Sequence, residues 1–178
     1  MDKLKARPLR KSEPSQSDLD LIKRNPIYLV LDEVLDTYNI GSLFRLAHAI
    51  AAEKVYLTGE MEYPPSSRIH TAAVGTENWV PWEKLDKSES AVQLLKKKNV
   101  QVIAVEQDPK AISYKKLTTQ NVKFPTALVI GHETEGVKKE VLDQADLIVE
   151  LPMLGINTSF NVWGTAAVVA YKLLEGLI

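Results

Sequence analysis

The stretch that most restricts what this chain can become lies near its end: Leu147-Ile-Val-Glu-Leu-Pro-Met-Leu-Gly155, then Ile156-Asn-Thr-Ser-Phe-Asn161, then an apolar run to Leu174. Leu147–Leu151 is β-rich and too short for a helix, and Pro152 breaks it. Gly155 is expected to take the positive φ of a sharp exit. Ser159 and Asn161 are residue types whose side-chain oxygens cap helix N-termini. In the helix that follows, Gly164 with Ala167 and Ala166 with Ala170 recur three or four apart, so another backbone can approach closely. Alone, this is a terminal strand, turn and helix with an ordinary cap. Two other strand ends carry matching polar clusters, and those give it weight.

Ile27–Leu31 reads as the first strand of the chain. A polar loop, Asp32–Asn39, leads to a helix over Ile40–Ile50, where Leu43, Leu46, Ala47 and Ile50 form an apolar stripe. Ser42, Arg45 and His48 share the opposite, polar face. Lys54–Leu57, Gln101–Val105 and Ala127–Ile130 are further short strands. Between residues 58 and 87 the pattern is irregular, with a loop at Pro64-Pro65 and an extended segment at Trp79–Trp82. Both tryptophans fit a core or interface better than a base-stacking role. His70 has no visible partner. Asp86-Lys-Ser-Glu89 resembles a capping box for a helix to Lys98, with Asn99 as its stop. Val137, Val141, Leu142 and Ala145 place a short helix before the terminal strand.

Strands alternating with helices imply an α/β domain: a mainly parallel sheet with helices on both faces. Ligands of such sheets bind outside the carboxyl ends of the strands. The clusters Asn39/Arg45, Gly131/Glu133/Gly136 and Ser159/Asn161 all follow strands, so they are expected on one rim. Residues 1–26 read as a polar leader with a short helix at Asp18–Arg24, and 27–178 as one domain. Basic residues at positions 3, 5, 7, 10 and 11 make the leader a candidate arm for phosphates, aided by Lys115 and Lys116.

Composition removes several chemistries. The chain has no cysteine, which excludes disulfides, thiolate nucleophiles and cysteine-based zinc sites. No apolar run approaches the ~20 residues of a membrane span, and Met1–Arg7 lacks the apolar core of a secretory signal. Cytoplasmic residence is the default. The formal net charge of −1 argues against an indiscriminate nucleic-acid binder. No G-x-G-x-x-G follows the first strand and no G-x-x-x-x-G-K-[ST] occurs, which removes the usual dinucleotide and nucleotide readings. His48, His70 and His132 are too scattered to share a metal. What remains is an Arg, a Glu, two amides and a Ser beside glycine-bearing loops, a set suited to a small cofactor recognised by main chain. Arg45 suits a phosphate or a developing oxyanion, or a surface ion pair with Glu133 or Glu135. Glu133 alternatively caps the helix after it.

Three segments are similar to the motifs of the TrmH-like RNA 2′-O-ribose methyltransferases of the SPOUT superfamily: Asn39-Ile-Gly-Ser-Leu-Phe-Arg45, Ile130-Gly-His-Glu-Thr-Glu-Gly136 and Leu151-Pro-Met-Leu-Gly-Ile-Asn-Thr-Ser-Phe-Asn-Val162. Thr71–Trp82 resembles the family's middle segment. The resemblance implies a C-terminal trefoil knot, a rare exception to unknotted topology. It also implies S-adenosylmethionine held largely by main chain at Val105, Gly131, Leu151, Ile156 and Phe160. Arg45, Asn39, Glu133, Ser159 and Asn161 would then serve methyl transfer to RNA (tRNA or rRNA), in a homodimer whose partner completes the site, without metal or membrane. Rival readings are a catalytically silent RNA-binding paralogue and an unrelated α/β enzyme acting on a phosphorylated metabolite. Phe160 stands where the family usually has Leu, and Trp163-Gly164 replaces a small polar–apolar pair. The sequence ends at Ile178, short of an extension that some tRNA-directed members carry.

Overall fold

The computed structural model describes residues 14–178. Seven parallel strands form one sheet in the order β3-β2-β1-β6-β4-β7-β5. The strands are β1 (Asn25–Asp32), β2 (Ala52–Thr58), β3 (Trp82–Leu85), β4 (Gln101–Val105), β5 (Ile112–Ser113), β6 (Thr126–Gly131) and β7 (Leu147–Glu150). The helices are α1 (Gln16–Asp20), α2 (Thr37–Ala49), α3 (Ser67–Ala73), α4 (Ser88–Lys97), α5 (Lys139–Leu142) and α6 (Val162–Leu174).

The central strands are largely apolar between their ends because both sheet faces are covered. Successive side chains alternate between two cores. Leu29 and Leu31 of β1, Ile103 of β4 and Leu128 and Ile130 of β6 join Leu43, Phe44 and Ala47 of α2 and Val169 of α6. Val30, Val102, Ala104, Ala127 and Val129 point the other way, onto Ala91, Val92 and Leu95 of α4 and Val141 of α5. At the α2–α3 crossing, a Cβ added to Gly41 would lie 2.6 Å from the Ala72 Cβ and 2.7 Å from the Ala73 nitrogen. Backbone cannot yield there as a side chain can, so Gly41→Ala is expected to destabilise the fold by about 1–3 kcal/mol, measured by denaturant unfolding.

Several expectations change. Gly155 is not among the glycines with positive φ, and its missing Cβ faces nearly open space; the loop turns without that conformation. Asn161, not Ser159, caps α6, its side chain accepting from the Trp163 amide at 3.0 Å. Lys87 stands at the α4 N-cap without a side-chain cap, so Asp86 forms no capping box, while Asn99 (φ 57°) does end that helix. The leader helix begins earlier than Asp18–Arg24: Ser15 caps it, with Asp18 completing a capping box. Ala166 and Ala170 are buried in the chain's own core rather than offered to a partner, because α6 lies on β6 and β4. Trp79 is buried, Trp82 packs partly on the core, and Trp79 makes an edge contact with His48. His70 does find a partner, pairing through Nδ1 with Glu77 at 2.5 Å. The basic positions 3–11 lie outside the described residues.

Candidate active site

Two neighbouring strands create the first half of the site. β1 and β6 pair in register, with Asp32 opposite Gly131, so the segments leaving them emerge side by side. After β1 the chain turns through Leu35 and Asp36 into α2. After β6 it folds into a tight loop in which His132 and Gly136 exchange backbone hydrogen bonds. This loop needs its glycines: a Cβ on Gly131 would lie 2.2 Å from the Gly136 carbonyl carbon, and Gly136 itself has φ +71°.

The loop aims Glu133 at the entrance of α2. Its carboxylate accepts from the Leu35 amide at 3.1 Å, the Asp36 amide at 2.9 Å and the Asn39 side-chain amide at 2.9 Å. Asn39 is 2% exposed. Its remaining oxygen accepts from the Asn161 side-chain amide at 3.0 Å. Asn161 in turn uses its own oxygen for the α6 cap. A carboxylate accepts and cannot donate, so each amide's orientation follows from the group before it. One chain of hydrogen bonds thus runs from the β6 loop through α2 to the start of α6. Burial by itself raises the Glu133 carboxyl, but the hydrogen bonds from Asn39, Asp36 and Leu35 outweigh it and hold the group below its usual range.

The second half is a cleft of about 280 Å³ at the carboxyl ends of β4, β6 and β7. Val105, Gly131, Leu151 and Phe160 line it, as do Glu133 and Ser159. Ser159 is held locally, its hydroxyl donating to Asn157 at 2.9 Å. Ile156 is not part of the wall: its side chain is fully exposed on the outward arc of the 151–161 loop. Neither Asn39, which is buried, nor Asn161, which is exposed, lines the cleft. Arg45 is exposed on α2, outside this cleft, and forms no ion pair with Glu133 or Glu135, since Glu133 is occupied by the α2 entrance. For the same reason Glu133 does not cap the helix that follows it.

Sequence reasoning missed Glu106, Gln107 and Glu150, which also line the cleft. The signal was available, since Glu106-Gln107 follows β4 just as the recognised clusters follow their own strands. Among the described residues, the cleft walls carry three carboxylates (Glu106, Glu133 and Glu150) and neither Lys nor Arg. Such a pocket favours a cationic occupant and repels a phosphate. Among the described residues, no group of three or more acidic or histidine side chains is placed to hold a metal, and no helix is long and apolar enough to cross a membrane.

Known proteins share this arrangement of strands. A solved S-adenosylmethionine-bound rRNA methyltransferase from Sinorhizobium meliloti superposes with a TM-score of 0.80 at 24% identity, covering 96% of this chain and 60% of that one, a likeness of fold. A tRNA (guanosine(18)-2′-O)-methyltransferase of Borreliella burgdorferi is 27% identical over 160 residues, 88% of this chain and 69% of that protein. The 23S rRNA (guanosine-2′-O-)-methyltransferase RlmB of Haemophilus influenzae is 29% identical over 167 residues, 92% of this chain and 66% of the relative. The chain spans between 52% and 69% of the length of such curated relatives. The pattern of one family runs through residues 26–171, from the start of β1 to the body of α6, and takes in every segment that builds the cleft. The chain belongs to the SpoU rRNA Methylase family.

Proposed function

We propose that this chain is an S-adenosylmethionine-dependent methyltransferase acting on a ribose 2′-hydroxyl of a structured RNA, tRNA or rRNA, as a cytoplasmic homodimer. One observation carries the reading: the Glu133–Asn39–Asn161 chain of hydrogen bonds ties the cleft wall to the helix that bears Arg45. The cleft's chemistry fits the cofactor. S-adenosylmethionine supplies a methyl group on positively charged sulfur, and the acidic walls suit that charge. Val105, Gly131, Leu151 and Phe160 are the residues placed to hold it, with the exposed Phe160 ring available to cover an apolar group.

The remaining work falls to the chain's own side chains. A ribose hydroxyl is a poor nucleophile until its proton is leaving, so negative charge on that oxygen needs stabilising. Arg45 serves this as a permanent cation, its pKa being too high for a base, and the proton passes to phosphate or water. Arg45 lies outside its own chain's cleft, which supports a site completed by a second copy. Leu35, Tyr38, Val168 and Tyr171 are exposed apolar residues on and beside α2 and α6, suited to such a contact. The leader and the exposed Lys115 and Lys116 would add phosphate contacts. The knotted C-terminal threading belongs to the same proposal. Its support is that the loop 151–161 bonds both the β4 exit and α2.

The test is calorimetric titration with S-adenosylmethionine, followed by incubation with tRNA and rRNA and a labelled methyl donor. Binding, with label recovered in alkali-resistant dinucleotides, is the expected result. Binding without transfer to any RNA would establish the silent paralogue instead. Turnover of a phosphorylated metabolite with no methyl donor would establish the other rival, which the acidic cleft disfavours.

A further inference from the structure

The β4 exit contains two polar residues, Glu106 and Gln107, to which the methyl-transfer reading assigns no structural part beyond the charge that Glu106 lends the cleft wall. Between them they bond to β7, to the residue after the β6 loop and to the 151–161 loop. The Glu106 backbone amide donates to the Val149 carbonyl of β7 at 3.1 Å. Its carboxylate accepts from the Val137 amide at 2.8 Å, just past the β6 loop, and from the Gln107 amide at 2.8 Å. The absent Cβ of Gly136 is what admits this carboxylate, since an added Cβ would meet its Oε2 at 2.1 Å. Gln107 then reaches the other way, its side-chain amide donating to the Thr158 carbonyl at 2.5 Å. Thr158 lies in the 151–161 loop, where most side chains are exposed. Little apolar contact holds that loop in place.

We propose that Glu106 and Gln107 are positioning residues: a brace that fixes the β6 loop and the 151–161 loop at the separation the cofactor requires. A loop without burial is held by its few hydrogen bonds, and local opening is easiest where these are sparse. Gln107 joins residues 51 apart in sequence. The Glu133–Asn39–Asn161 chain holds the far end of the same loop at Asn161, so Gln107 governs the near side of the cleft.

The test is Gln107→Met, similar in length at an exposed position, which removes the donor to the Thr158 carbonyl without adding charge to the cleft wall. Chymotrypsin is expected to cut within 151–161 about tenfold faster in the free variant, consistent with loss of one hydrogen bond, while the thermal midpoint stays that of the wild type. The cofactor Kd by calorimetry, and its KM, are expected to rise about tenfold with kcat unchanged. Wild-type cleavage overturns the brace. Faster cleavage with wild-type affinity overturns its role in positioning the cofactor. The cofactor arm rests on the function proposed above. If the wild-type protein binds no S-adenosylmethionine, that function fails, and the cleavage comparison alone decides whether the brace exists.

Discussion

Glu133→Ala is expected to lower stability by about 1–3 kcal/mol, the cost of leaving the buried Asn39 amide without its acceptor. The same change frees the Leu35 and Asp36 amides, so the entrance of α2 loosens and Asn39 no longer presents its oxygen to Asn161. Methyl transfer should fall at least about a hundredfold, because misplacement of about 1 Å at a reacting site costs that much. Denaturant unfolding and single-turnover transfer measure the two effects. Acid sensitivity supplies a sharper check. A carboxylate whose folded pKa lies below its unfolded value contributes stability that is complete above the unfolded value, about 4.3. That contribution drains away as pH falls through the folded value. The Glu133 carboxyl is depressed in this way. Wild-type protein should therefore lose stability below about pH 4.5 more steeply than Glu133→Ala. Parallel acid profiles would show that this carboxylate does not hold the α2 entrance.

Arg45→Ala should leave the fold nearly untouched, within about 0.5 kcal/mol, as for other exposed positions. Its side chain is exposed on the polar side of α2. Binding of S-adenosylmethionine should match the wild type, since Arg45 lies outside the cleft wall. Transfer to RNA should fall about 10²–10³-fold, the usual effect of removing one stabiliser of a developing oxyanion. Arg45→Lys should not restore it, because an ammonium lacks the planar fork that grips phosphate and oxyanion together. Mixing Arg45→Ala with a cleft-defective Gly136→Ala partner gives a further reading. If the two copies share sites, mixed dimers regain activity that neither parent has. Near-wild-type activity of Arg45→Ala alone would remove this residue from the reaction.

Much of the fold was legible because parallel strands buried on both faces leave short apolar runs that local pattern detects. Gln101–Val105 was read to the residue, and Ala127–Ile130 and Ile27–Leu31 were short by one or two at each end. β5, only Ile112–Ser113, has no period to detect, and it exists because the edge of β7 offers it a partner. α3 was hidden between Pro64-Pro65 and Trp79, where its seven residues are too few to show a stripe. Glu106 and Gln107 were passed over because no motif frames them.

Residue order alone determined the alternation of strands and helices, the three polar clusters at strand ends, and the family pattern that spans them. Local periodicity records only which face of its own element a residue occupies. It cannot tell which strand will lie beside which. Glu133 meets Asn39 across 94 residues, and Asn39 meets Asn161 across 122, because β1 lies in register beside β6 and α6 packs near α2. Tertiary structure also moved Arg45 out of the cleft and put Gln107 against Thr158. A hydrogen bond forms only near 3 Å, and that distance depends on the order of strands in the sheet.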